Sequence, residues 1–122
     1  MDELTEIKIE YAKKYFEING LRPDDIGDEV WGGFVDAILA IEDERQNTIK
    51  DAFLNHTSIL LTKREVILVI GYLTCTLARM RAAGNERETE VVAAKIDWLM
   101  MRYQLMLDDD VLPTDFTQGP IQ

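Results

Sequence analysis

Cysteine and histidine are each present once in this 122-residue chain, and that scarcity removes much of side-chain catalysis at the outset. Cys75 has no second cysteine to pair with, which excludes an internal disulfide and suggests a reducing compartment. It lies between Thr74 and Thr76 in a helical stretch with Arg79 as its only nearby cation, a setting for a small core residue more than for a nucleophile. His56 stands in a connecting segment without a Ser, Cys or carboxylate at a motif spacing. A di-metal carboxylate bundle requires Glu-x-x-His pairs; the residue three before His56 is Phe53, so that class is excluded. Long apolar runs are also absent. The most apolar stretch, Val66 to Leu73, is interrupted by Gly71 and falls short of a membrane span. The opening Asp2-Glu3-Leu4-Thr5-Glu6 has neither the basic start nor the apolar run of a secretory signal, and the expected location is cytoplasmic. Basic residues are scarce, 13 Lys and Arg against 23 Asp and Glu, for a net charge of -10. Phosphate backbones and anionic lipid both call for cations, so direct nucleic-acid and membrane binding are disfavoured. A protein partner with a basic surface is permitted.

What remains is helical patterning. With 47% hydrophobic and 30% charged residues the composition is globular, and the length fits one domain with its own core. Leu4, Ile7, Tyr11, Ile18 and the pair Ala12/Tyr15 recur at helical steps over roughly 2–19, with Asp2, Glu3 and Glu6 complementing the helix dipole. Gly20 and Pro23 close this segment. A second begins near Asp24 or Asp25 and carries Val30, Phe34, Ile38 and Ile41, resumed by Ile49 and Phe53. Gly32-Gly33 implies either close approach by another helix or a helix that starts after it. The polar stretch 42–47 is either an exposed helical face or a break between two shorter helices with Asn47 as a cap; one long helix with a kink is the favoured reading, and 55–61 reads as a connection.

The firmest expectation is a C-terminal antiparallel helical hairpin over 62–107. Thr62-Lys63-Arg64-Glu65 is a capping box, with Leu61 and Val66 placed as a hydrophobic staple. Val66, Ile70, Leu73, Leu77 and Met80 form a seam with alternating steps of four and three. Nearly all the remaining surface is apolar or small, so this helix belongs at the centre of the domain or of an oligomer. It is locally basic, with Lys63, Arg64, Arg79 and Arg81 against Glu65 alone over residues 63–84, which predicts acidic neighbours. Gly84-Asn85 stops one helix and restarts the next, with Glu88 completing a second box-like pair. The following helix shows one stripe of Val92, Ile96, Leu99, Tyr103 and Met106 and another of Trp98, Met101 and Leu105, so it needs two contacts. Together these give an all-α fold, a small four- to five-helix bundle over 1–112, with 113–122 a flexible or loosely packed tail that Phe116 and Ile121 could pin.

The acidic pairs Glu3/Glu6 and Asp25/Asp28 each share a helix face, and such pairs on adjacent helices hold Mg²⁺ through oxygen ligands. In this the chain resembles the all-α nucleotide pyrophosphohydrolases of the MazG type, which carry Glu-Glu-x-x-Glu on one helix and Glu-x-x-Asp on a later one. The resemblance implies a Mg²⁺-dependent hydrolase with Glu3, Glu6, Asp25 and Asp28 as metal ligands. The doubled glutamate is missing here, the second motif starts with Asp, and Gly27 stands inside it. Capping and helix dipole account for the same acids with no catalytic residue, metal or cofactor. The preferred expectation is therefore a non-enzymatic acidic interaction protein, homo-oligomeric, binding another protein as an inhibitor, immunity or antitoxin-like factor, or adaptor. Small phage and mobile-element proteins share this character. Ile67, Gly71, Trp98, Met101 and Leu105 are its expected interface residues, because exposed apolar stripes mark protein contacts.

Overall fold

The computed structural model describes residues 2–116. Among these, six helices and one two-stranded sheet follow in the order α1 (Glu3–Ile18), α2 (Pro23–Ile26), α3 (Asp28–Ala40), α4 (Asp43–Asn55), β1 (Ser58–Thr62), α5 (Lys63–Ala82), α6 (Glu86–Leu105) and β2 (Val111–Asp115). The fold is mostly helical, as expected, with the sheet as an unanticipated addition.

The organising element is α5. Its capping box is formed on both sides: the Glu65 amide donates to Thr62 Oγ1 at 3.4 Å and the Thr62 amide donates to Glu65 Oε1 at 2.9 Å. Every residue from Glu65 to Leu73 is buried. The cover comes from within the chain, since α5 packs against α6, α3 and both strands. The domain centre, and not an oligomer, accounts for its all-round apolar character. Of its expected acidic neighbours, Asp36, Glu42 and Asp108 line one cleft with Lys63 and Arg64, but among the described residues Lys63, Arg64, Arg79 and Arg81 form no direct ion pair. Lys63 lies instead 5.2 Å from the centre of the Tyr103 ring.

The glycines of α3 and α5 set how close these helices come. A Cβ on Gly71 would fall 2.1 Å from Phe34 Cδ2, and one on Gly33 would fall 2.6 Å from Ile67 Cγ1. Close approach is therefore the reason for Gly33, and the helix runs through it from Asp28. Phe34 sits in an aromatic cluster, edge-on to Phe16 with ring centres 4.8 Å apart.

The single long helix expected over 28–54 is corrected to two. Ile41 is extended, with φ -84° and ψ 133°, and ends α3. Gln46 makes the break tolerable: its side-chain NH₂ donates to the Ile38 and Ile41 carbonyls at 2.9 and 2.7 Å, filling acceptors that a helix end leaves open. Turning the chain here buries Ile49 and Phe53 in the same core as Phe34 and Ile38.

The connection 55–61 and the tail are corrected too. Ser58 to Thr62 pair antiparallel with Asp115 to Val111. Leu61, Leu112 and Thr114 are buried, and Phe116 packs edge-on to Phe53 at 5.5 Å. Residues 113–116 are thus strand and core, with Phe116 pinned as the sequence allowed; Ile121 and the rest of 117–122 lie outside the described residues. The two helices of the C-terminal hairpin, α5 and α6, are joined by three residues, 83–85, with Gly84 at φ +75°. So short a connection makes them antiparallel neighbours.

Candidate functional site

Each outer helix of this bundle has one apolar face docked and another in solvent. On α1 the docked face is Ala12 and Phe16, both buried, with Tyr15 packed on Phe34 and Tyr72 at 5.9 and 5.8 Å. Of the residues in the helical pattern Ala12 and Tyr15 therefore dock, while Leu4, Ile7, Tyr11 and Ile18 are exposed, Ile18 84% accessible. Ala12 presents little bulk and Phe16 fits against Phe34 and Trp31, so this pair seats the helix and the exposed stripe is turned outward. One edge of the stripe carries Glu3, Glu10 and Glu17 at seven-residue intervals, all exposed. Lys14 interrupts the stripe between Tyr11 and Ile18, and Glu10 pairs with Lys13 at 3.5 Å, so the face is apolar with lysines among its acids.

On α6 the docked face is Val92 and Leu99, both buried, with Ile96, Met100 and Tyr103 partly so. Trp98, Met101 and Leu105 lie on the other side and are 41%, 52% and 70% exposed. Lys95 Nζ and the Arg102 guanidinium lie 5.2 and 6.0 Å from the Trp98 ring centre, close enough for cation–π attraction. The other two expected interface residues are corrected. Ile67 is 1% exposed and Gly71 is buried against Phe34; α3 has already taken that side of α5.

The acidic pairs are not brought together. Glu3 and Glu6 lie in the first turn of α1, whereas Asp25 and Asp28 follow its far end. A helix of 16 residues is about 24 Å long at 1.5 Å per residue. Among the described residues no group of three or more His, Cys, Asp or Glu side chains is placed to hold a metal ion. Asp25 has a local task, accepting from the Arg22 amide at 3.2 Å. His56 is exposed and ends α4 in the left-handed conformation, φ 56°. Cys75 is fully buried, and burial pushes its thiol up to about 12, far from a reactive thiolate.

An open cleft of about 640 Å³ sits at the start of α5, with Arg45, Lys63 and Arg64 facing Asp36, Glu42 and Asp108 among its lining. No motif pointed to it. Within it Arg45 grips Glu65, Nε to Oε2 at 2.8 Å and Nη2 to Oε1 at 3.0 Å, and also donates to the Leu60 carbonyl at 2.6 Å. This clamp ties α4 and β1 to α5. Its groups are spent on one another, and the mixed signs around it favour no single class of charged ligand. No helix of the described residues is long and apolar enough to cross a membrane.

Comparison with known proteins returns no relative: no family model, no curated protein and no solved structure matches the chain.

Proposed function

We propose that the chain is a non-enzymatic, acidic helical interaction protein that works as a homo-oligomer and holds another protein as an inhibitor, immunity or antitoxin-like factor, or adaptor. The observation that carries the reading is the doubled apolar character of α1 and α6. Each docks on the core through one face and leaves a second apolar stripe in water. Burying such a stripe is favourable by about 25 cal/mol per Å², and contiguous exposed stripes are where proteins meet. The net charge of -10 suits a partner with a basic surface and would steer it to the chain.

Affinity capture from the source cells, followed by mass spectrometry, tests this with an α1 variant as control. Wild type is expected to retain a specific protein that an Ile7→Glu, Tyr11→Glu variant loses by about tenfold or more, a hot-spot-sized effect. Both positions are exposed, so the variant keeps the fold. Retention unchanged by substitution on α1 and on α6 alike would contradict the reading, as would Mg²⁺-dependent nucleotide hydrolysis by the purified chain.

A further inference from the structure

The outer face of α6 has a regularity that the stripe Trp98, Met101, Leu105 does not exhaust. Continued toward the start of the helix it takes in Ala94 and Val91, so that 91, 94, 98, 101 and 105 alternate steps of three and four. That is the spacing of a coiled-coil seam. Written as a heptad, Val91, Trp98 and Leu105 take position a, and Ala94 and Met101 take d. The flanks then separate by sign. Lys95 and Arg102 fall at e, Glu90 and Asp97 at g. Among the described residues neither Glu90 nor Asp97 is in an ion pair with its own chain.

In a parallel pair of helices, g of one strand meets e of the other five residues further on. Glu90 thus meets Lys95 of the second strand, and Asp97 meets Arg102, with the reciprocal two pairs from symmetry. In an antiparallel pair g meets g and e meets e, which sets acid against acid and base against base. Ala94 adjoins Trp98 in the seam, and alternating large and small layers is how a bulky side chain is accommodated. The opposite face of α6 is already occupied by α5, so a second helix approaches without displacing the core.

We infer that α6 pairs in parallel with the α6 of a second copy of this chain, through the seam from Val91 to Leu105, with Glu90 on the partner's Lys95 and Asp97 on the partner's Arg102. This rests on the outer α6 face being a protein contact and gives that face its occupant. Lys95 and Arg102, which shelter Trp98 in the single chain, then turn to the partner's carboxylates while the partner's seam covers the ring.

The test is sedimentation velocity on the full chain from low to high micromolar concentration, with two charge-swapped variants. Glu90→Lys, Asp97→Lys makes both flanks basic, and Lys95→Glu, Arg102→Glu makes both acidic. Wild type is expected to dimerise. Each variant alone weakens the dimer by about tenfold or more, because four attractive pairs become repulsive, and an equimolar mixture of the two restores association. Arg87→Cys reads the direction. Arg87 lies one seam step before Val91; in the parallel pair its two thiols are adjacent and oxidation links the chains. In an antiparallel pair they stand about 27 Å apart over eighteen residues and do not link. A strict monomer overturns the pairing, as does association that survives in both variants, or a dimer whose Arg87→Cys form fails to link. Trp98→Glu separates this from the broader reading. A monomer in which that substitution loses a different protein overturns self-pairing alone. A dimer it leaves intact overturns the pairing and the use of the α6 face together.

Discussion

Glu65 is a carboxylate only 7% exposed, held where it was carried by three donors at once. Burial pushes its carboxyl upward, but the Arg45 guanidinium and the hydrogen bonds with Thr62 outweigh that and hold it below its ordinary value of 4.5. A carboxyl with a depressed folded-state pKa contributes stability above the unfolded value and loses it as pH falls through the folded one. The expected result is that Glu65→Gln costs about 1–3 kcal/mol in urea unfolding at neutral pH, toward the lower end because Arg45 is partly in solvent. The gap closes as pH is lowered below about 4.5, where the wild-type carboxylate takes up a proton. Parallel stability–pH curves for the two proteins would contradict this. Half of the clamp was legible in sequence, because Thr62 and Glu65 are three residues apart and a capping box is a local object. Arg45 was not, because it arrives from twenty residues away on a helix whose start no cap residue announced. His56 has a backbone role, ending α4 in the left-handed conformation.

Helix existence was largely legible and helix boundaries were not, and the difference is one of where the compensating bonds come from. The start of α5 rests on its formed capping box; α6 also restarts where expected, after Asn85, but the box-like pair is not formed, since Asn85 makes no cap hydrogen bond and its side-chain amide donates to the Glu88 carboxylate instead. The break at Ile41 has no proline or glycine to mark it; Gln46 satisfies the freed carbonyls from across the turn. The sheet was invisible because β1 and β2 pair across 49 to 57 residues, and each is too short to show a period. On α1 the helical period holds but spans two faces: Ala12 and Tyr15 dock beside Phe16, while Leu4, Ile7, Tyr11 and Ile18 stay in solvent, because apolar spacing says that a face exists and not which one is docked. The α3–α5 contact yields a paired prediction. Gly71→Ala drives a methyl into the buried Phe34 ring and is expected to cost about 1–3 kcal/mol or more. Gly32→Ala meets nothing within 4 Å and is expected to stabilise by about 0.5–1 kcal/mol through helix propensity. Thermal unfolding of the two variants checks this; shifts of the same sign would contradict it.

The whole molecule is a core built around α5 with two helices that each look both inward and outward. The sequence points to surplus apolar surface on the C-terminal hairpin, and part of that expectation fails for a physical reason: α3 covers Ile67 and Gly71, leaving α6 alone of the two hairpin helices to carry the excess. The excess on α1 replaced what was lost. Under the proposed function the outer faces are contact surfaces, and Trp98 reports on one of them directly. The protein has two tryptophans, and Trp31 packs against Phe16 at 5.6 Å, so a Trp31→Phe variant leaves Trp98 as the only emitter. Acrylamide quenching of that variant across a concentration series is the most direct measurement. The account predicts a strongly quenched, red-shifted emission at low concentration, turning blue-shifted and several-fold less quenchable as chains associate over the ring. Emission and quenching that stay those of an exposed tryptophan, at concentrations where sedimentation shows the chain to be associated, would contradict it.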